Sequence, residues 1–506
     1  MHEKDSESTY LPKEEIRIQY SGLVIFATKI LSIATGMIFT LLITRNTTEP
    51  EFGIWGNISD LIVYFSILAS AFPFWTTRFV ARRKEGATKT GVVANLVVAA
   101  ISAAFYVPLI LLVTSALHVG SQYLILYFIA TLQIVNIHMI NALEACLRAK
   151  RPQAVGYGLV IEELCKITLA YILVVEFQQP LLGAMIGLVL APLFQSVYYV
   201  RLLSDDLKGK LQWAYVKEWL KGSVATVYQS IGNQVAAFVF IILFSIGGSA
   251  ARGDYLAAAI VANIVAYSSF LSFALYPKIL ADRNVKDVTS SLKLVLMFAI
   301  PMTAGIIAIP DSYLIILAPQ YAATAIVLML LAFDTLIYTI SQFYMYVLLG
   351  VERMDEEAKI PIKQLVKSDI FKVFTLPYLH ALITLPLSVY FLTNFAYNDP
   401  VLSAAYVTII NMVARTGMFA IMYAILRRKA RPEVPWMSIG KYVFASAVMS
   451  SFLYFLPHPT RIILTLATTV AGAILYLGLL ILIDKEAKKL IKAILHEIMM
   501  SIKMRF

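Results

Sequence analysis

Seven ionisable residues stand well inside long apolar runs of this chain: Lys29, Asp60, Glu162, Glu163, Lys166, Asp334 and Arg415. A charge left facing lipid at the centre of a helix costs roughly 2.5–3.5 kcal/mol, so each must pair with another or face a wet cavity. Glu162 and Glu163 precede Lys166 by four and three residues, which brings both carboxylates within reach of the ammonium on one helix surface. Two readings stand there. Either the cluster neutralises itself and fixes helix packing, or Lys166 offers a cation to an anionic headgroup while a glutamate binds a proton or a sodium ion. One lysine does not neutralise two carboxylates, which favours a cavity. Lys29 and Arg415 lie on the first and twelfth runs and therefore come from opposite halves of the chain. Together they could hold a diphosphate, Arg through its bidentate fork and Lys as a point charge. The competing reading pairs each with a local carboxylate, such as Lys29 with Asp60. Asp60, Glu162, Glu163 and Asp334 are the candidates for coupling to an ion.

Uncharged polar residues cluster as well: Gln133, Asn136, His138 and Asn141 on the fourth run, and Gln229, Asn233 and Gln234 on the seventh. Interhelical hydrogen bonding and a sugar-lined cavity use the same residue types, so both readings remain open. His138 and His380 are ordinary hydrogen-bonded histidines or proton carriers. Arg78, Arg148, Lys278 and Arg353 sit at run ends, as topology anchors or as a basic cytoplasmic entrance. No catalytic triad, metal-ligand cluster or paired catalytic carboxylate stands out. Cys146 and Cys165 form no disulfide framework.

The elements that must carry these residues are fourteen apolar runs: 21–43, 52–75, 90–115, 120–143, 155–175, 180–203, 222–246, 254–280, 291–309, 321–350, 373–394, 400–426, 437–456 and 459–483. A bilayer-crossing helix needs about 20 apolar residues. The chain holds 42 Lys and Arg. All but seven lie in the leader, in the even-numbered gaps with their flanking run ends, and in the tail. The exceptions are Arg45 and Arg252 in odd-numbered gaps with Arg461 at the run end flanking another, and Lys29, Lys166, Arg415 and Lys441 inside runs. That alternation predicts both termini in the cytoplasm, and Lys441, near a cytoplasmic end, is expected to snorkel. All five tryptophans lie at or near run ends, as an interfacial belt requires. Only 14% of residues are charged, against 59% hydrophobic. The net charge of +11 thus belongs to a cytoplasmic face meeting anionic lipid, not to nucleic-acid binding. The longest loops, near twenty residues, hold no phosphate-binding glycine motif, and the outer loops leave no room for a catalytic domain.

A displacement of 200 residues sets Gly22 on Gly222, Gly53 on Gly253, Arg78 on Lys278 and Arg83 on Arg283. Both copies start on the cytoplasmic side, so this is a parallel repeat, and such repeats form lobes that rock around a site between them. The expected organisation is a polar cytoplasmic leader, 1–20, which does not read as a cleavable signal; an N-lobe of six helices, 21–203; a cytoplasmic linker, 204–221; a C-lobe of six helices, 222–427; two further helices, 437–483; and a basic amphipathic tail helix, 484–506, lying on the membrane surface.

The stretch from Ser21-Gly22 through Thr44-Arg45 to Glu51-Phe52-Gly53-Ile54-Trp55-Gly56, then Arg78-Phe79-Val80-Ala81-Arg82, resembles the opening of polysaccharide or oligosaccharide-lipid flippases (Wzx-type). These belong to the MATE-like multidrug/oligosaccharidyl-lipid/polysaccharide (MOP) exporter superfamily. Gly253-Asp254-Tyr255-Leu256-Ala257-Ala258, Tyr276-Pro277-Lys278, Gln320-Tyr321-Ala322-Ala323 and Leu349-Gly350-Val351-Glu352-Arg353 continue the resemblance through the second half. Asn46-Thr47-Thr48 and Pro319 depart from the usual pattern in outer loops. The resemblance implies an all-α integral membrane protein of about 14 transmembrane helices, with two six-helix lobes in a V and two extra C-terminal helices. Its implied function is non-enzymatic. It would carry lipid-diphosphate-linked oligosaccharide from the inner to the outer leaflet of the cell membrane by alternating access, with Lys29, Lys166 and Arg415 at the diphosphate. It implies no cofactor beyond a coupling Na+ or H+. Its partners would be the lipid-linked oligosaccharide, membrane lipids and glycan-assembly enzymes. The rivals are a cation-coupled multidrug (MATE-type) antiporter and, against the short outer loops, a membrane glycan polymerase or ligase.

The topology has a direct check. With Cys146 and Cys165 replaced by serine, Lys208→Cys is expected to react with a membrane-impermeant maleimide only after permeabilisation. Asn398→Cys is expected to react in intact cells, and the reverse pattern inverts the orientation.

Overall fold

A computed structural model describes residues 31–272, 286–351, 368–396, 398–429 and 432–485, together with Thr28 and Lys488. Among these residues the chain is helical, with no strand. Among the described residues nine helices are long and apolar enough to cross a membrane, or ten when the bent pair Glu49–Phe65 and Ile67–Ala81 counts as one. The chain is a multi-pass membrane protein. The difference from fourteen apolar runs has local causes. Of the first run, only Leu31–Thr44 is described as helix. The fifth carries Glu162, Glu163 and Lys166, which lower its hydropathy, and ends in a π-helical stretch, Tyr171–Glu176. The thirteenth, Trp436–Phe455, holds Lys441 and four serines. The seventh and eighth merge into one run, Val227–Ser269. A straight helix of that length would measure ~65 Å, about twice the hydrocarbon thickness. It is divided where π-helical Leu243–Gly247 meets Gly248 at φ +89°, a conformation that favours glycine.

The chain forms two compact units. Unit 1 comprises residues up to Asn46 and Leu61–Val227. It contains α1 (Leu31–Thr44), the end of α2 (Glu49–Phe65), α3 (Pro73–Ala81), α4 (Ala87–Ala116), α5 (Leu124–Lys150), α6 (Pro152–Ala170), α7 (Pro180–Leu202), α8 (Trp213–Gly222) and the start of α9 (Val224–Ala237). Helix α5 packs on α3, α4 and α7, and α6 packs on α7. Gly158 allows one close approach: a Cβ there would lie 2.2 Å from the Tyr199 ring, whose hydroxyl donates to the Val155 carbonyl at 2.9 Å. Around it lies a core of Phe72, Trp75, Phe79, Tyr199 and Trp219. Two tryptophans assigned to an interfacial belt are therefore core residues. Trp219 is fully buried, and Trp75 donates its indole N–H to Ser223 Oγ at 3.1 Å. Trp213 and Trp436 are exposed, as a belt requires. Phe105, Leu111 and Leu112 stand exposed on α4, an apolar face that only lipid can solvate.

Unit 2 comprises Thr47–Asp60 and the chain from Tyr228 onward. It contains the first part of α2, the rest of α9, α10 (Val239–Ile242), α11 (Gly248–Ala262), α12 (Lys286–Ala308), α13 (Pro310–Leu317), α14 (Ala325–Val351), α15 (Asp369–Asn394), α16 (Pro400–Lys429), α17 (Trp436–Phe455) and α18 (Ile462–Ile483). Helix α14 packs on α11, α12 and α16, and α17 bridges α12 and α18. Lys441 does not simply snorkel: its Nζ lies 3.6 Å from the buried carboxylate of Asp484. The amphipathic tail lies, but for its first residues, outside the described part of the chain.

Glycine lets the first fourteen residues of this unit, most of them in α2, pack closely on α11. A Cβ on Gly53 would lie 1.7 Å from the Ser249 carbonyl oxygen, and one on Gly253 would lie 2.2 Å from that of Glu49. The crossing is reciprocal, backbone on backbone, as small residues permit between membrane helices. Gly53→Ala is expected to lower stability by roughly 1–3 kcal/mol through overpacking. Gly36→Ala, where a Cβ meets nothing within 4 Å, serves as the neutral control. Thermal unfolding of the detergent-solubilised protein measures both.

Candidate substrate and ion-coupling site

In unit 1, α1 and α6 assemble around one carboxylate. Glu163 is buried, and its Oε2 lies 2.7 Å from Lys166 Nζ. The Thr35 hydroxyl donates to Oε2 at 2.6 Å and the Ser32 hydroxyl to Oε1 at 2.7 Å. Of the two glutamates within helical reach of Lys166, the i,i+3 partner takes the ion pair. Glu162 is half-buried on the adjacent face. The ammonium also lies 5.8 Å from the centre of the Phe39 ring. Lys166 keeps 12% of its side chain exposed. Lys29 lies outside the described residues, so its pairing with Asp60 finds no support.

Asp60 has another partner. In unit 2, Arg252 donates through Nε and a terminal nitrogen to both Asp60 oxygens, each at 2.9 Å. The guanidinium lies 5.0 Å from the Phe240 ring centre and 5.8 Å from that of Tyr255. Its remaining nitrogen, NH1, is buried without a hydrogen-bond partner among the described residues. Sequence reasoning placed Arg252 in an outer gap and assigned it no role. No sequence signal gave the pairing: the displacement of 200 residues sets Arg252 on Phe52, whereas the folded chain brings its guanidinium beside Gly56, one turn from Asp60. A second buried acid was also passed over: Asp254 accepts a hydrogen bond from the Thr324 hydroxyl at 3.1 Å.

Asp334 and Arg415 come together as the third pair. Arg415 Nε donates to Asp334 Oδ1 at 2.8 Å, and its guanidinium stands 5.0 Å from the centre of the Tyr338 ring. Asp334 is buried, whereas Arg415 is 30% exposed and lines a cavity of about 300 Å³ with Gln229, Asn233 and His380. The two polar clusters left open by the sequence thus separate. Asn136 donates to the Val189 carbonyl at 2.9 Å and to Gln133 at 3.2 Å, and His138 Nδ1 lies 2.9 Å from the Ile134 carbonyl. Those residues are buried packing contacts, while Gln229 and Asn233 face a cavity.

The basic run ends divide similarly. The Arg78 guanidinium lies 4.2 Å from the centre of the Phe74 ring. Arg148, largely exposed, pairs with Glu144 at 2.8 Å. Lys278 and Arg353 lie outside the described residues. Among the described residues, no group of three or more His, Cys, Asp or Glu could hold a metal ion. Any coupling ion would compete with the chain's own cations at Asp60, Glu163 and Asp334. A larger, mostly apolar groove of about 990 Å³ opens among α12, α14, α16 and α17, between Leu292 and Phe455 in sequence, with Thr303, serines of α17 including Ser450, and the rings of Tyr344, Tyr423, Trp436 and Tyr454 as its polar-bearing residues.

The fold is that of a polytopic membrane protein, and it is shared with solved structures of a flippase and of a transporter. The chain superposes on a lipid II flippase MurJ in an inward closed conformation with a TM-score of 0.61 at 14% identity, covering 91% of this chain and 98% of that one. It superposes on an inward-facing multidrug resistance MATE family transporter of the MOP superfamily with a TM-score of 0.59 at 12% identity, covering 79% and 96%. No family model and no curated protein matches the sequence.

The Asp60–Arg252 pair yields a stability prediction. Asp60→Asn strands a buried guanidinium and is expected to cost about 3–5 kcal/mol, whereas Asp60→Leu/Arg252→Met is expected to recover most of that loss. Unfolding midpoints of the three proteins test it, and equal losses in single and double variants would contradict a pairing role.

Proposed function

We propose that this protein is a flippase for lipid-diphosphate-linked oligosaccharide, working by alternating access between two halves that derive from a parallel repeat. The observation that carries the reading is the apolar groove of about 990 Å³ built with α17, a helix beyond the twelve that the repeat accounts for. A compact drug needs a closed pocket. A polyprenyl chain needs a long open groove with almost no hydrogen-bonding demand, because it stays in hydrocarbon while its polar head crosses. The reciprocal contact of Gly53 with Ser249 and of Gly253 with Glu49 supports the repeat, since residues 200 apart exchange roles.

Lys29, Lys166 and Arg415 would draw the diphosphate. Lys166 and Arg415 each hold one carboxylate and keep an exposed edge. Arg415 bonds Asp334 through Nε, leaving the two terminal nitrogens of its fork for an incoming phosphate. Asp60, Glu162, Glu163 and Asp334 are the groups through which a proton or Na+ would couple, by exchanging an internal cation for an external one. The termini would be cytoplasmic, and the partners the enzymes that build and consume the glycan. No step requires the protein to make or break a covalent bond.

Flux of a fluorescent lipid-linked glycan in proteoliposomes tests the assignment. Lys29→Gln/Lys166→Gln/Arg415→Gln is expected to reduce flux at least about tenfold, because one charge-assisted hydrogen bond lost at the limiting step costs about 1.5–3 kcal/mol. Ala447→Phe/Ser450→Phe, which fills the groove, is expected to reduce flux as well. Unchanged flux in both variants, with cation-driven export of a hydrophobic drug, would favour the multidrug antiporter.

A further inference from the structure

The smaller cavity in unit 2 is chemically unlike the apolar groove. Its wall brings Gln229 and Asn233 of α9 together with Gln342 of α14 and Asn411 of α16. Each side-chain amide offers both a donor and an acceptor. Tyr338 and Tyr255 add aromatic surface. The charge in the wall is balanced, because Arg415 is held to Asp334 at 2.8 Å. His380 contributes a buried Nδ1 with no hydrogen-bond partner among the described residues.

A diphosphate only accepts hydrogen bonds and carries several negative charges, so the amide oxygens of this wall suit it poorly and leave Arg415 as the group that could serve it. A polyprenyl chain offers no hydrogen bonds at all. A sugar ring does match: its hydroxyls both donate and accept, its ring carries no charge, and its C–H face packs on the electron-rich face of an aromatic side chain. The size agrees. At about 300 Å³ the cavity lies at the lower limit for small-molecule sites, with room for one small ring rather than a glycan chain.

We propose that this cavity of α9, α14, α15 and α16 is a carbohydrate subsite that takes a single sugar ring of the substrate, with Arg415 at the wall where the sugar meets its phosphate. The inference rests on the flippase reading and narrows it. Recognition of the glycan is built into one unit, by amide side chains, apart from the groove for the lipid.

Saturation-transfer NMR on the purified full-length protein in detergent tests this without any transport step. The probes are a panel of methyl glycosides of neutral hexoses and N-acetylhexosamines, with inorganic diphosphate as the competing anion. At least one glycoside is expected to show transfer that diphosphate does not displace. Gln229→Met, which removes an amide, and Ser341→Leu, which narrows the cavity at a lining position on α14, are each expected to weaken that binding about tenfold or more, with unfolding midpoints confirming folded protein. Two mild variants on different helices guard against the failure of either one to fold. The proposal is overturned if no glycoside binds the wild-type protein, if binding is unchanged in both variants, or if diphosphate alone displaces the sugar. A protein that moves lipid-linked glycan yet binds no glycoside would sink the subsite and leave the flippase standing. Glycoside binding without flux would do the reverse.

Discussion

A charge inside hydrocarbon has to find its opposite, and the arrangement of this protein follows from three such meetings. Glu163 finds Lys166 three residues along its own helix. Asp334 finds Arg415 across the packed pair α14 and α16. Asp60 finds Arg252 across the glycine crossing of α2 and α11. Each pair costs desolvation that its attraction only partly returns, so burying all three is a poor route to stability alone. What such pairs provide is register, because a helix that slides or turns leaves two uncompensated ions behind. A side chain that both satisfies an ion pair and reaches a cavity, as Arg415 does, can exchange that partner for a ligand at little electrostatic cost.

The division of labour within unit 2 follows from the same economy of polar groups. Its groove is mostly apolar and its smaller cavity is dense with hydrogen-bonding atoms, although both draw on α14 and α16. A molecule with a long apolar tail and a hydroxyl-rich head poses these two demands at once. In the proposed flippase the groove would serve the first demand and the smaller cavity the second.

Much of this was legible in the sequence, and the misses have physical reasons. Run length and the rhythm of Lys and Arg read out an all-helical membrane chain, because both are imposed by the bilayer and not by tertiary packing. Glu163 with Lys166 was legible because helical spacing places partners locally. Asp60 with Arg252 was not: 192 residues separate them, and Arg252 was read by its place in a loop count when it is buried inside a helix. Trp75 and Trp219 failed for a related reason. Proximity to a run end says where a residue sits along the membrane normal and nothing about whether a neighbouring helix covers it. Gln133 and Gln229 have one residue type and opposite environments, a difference that only the packing of α5 on α7 and the opening beside α9 determines.

The contact between Gly53 and Gly253 has a mechanical side. Most packed helices interlock through side chains, and shifting one along the other means lifting each knob over a ridge. Here the backbones touch at the glycines, so α2 and α11 ride closer than side chains would allow, with Leu256 over Gly56 and the Asp60–Arg252 fork as the stops that hold them in place. A methyl on either glycine would wedge the two helices apart and draw that fork open.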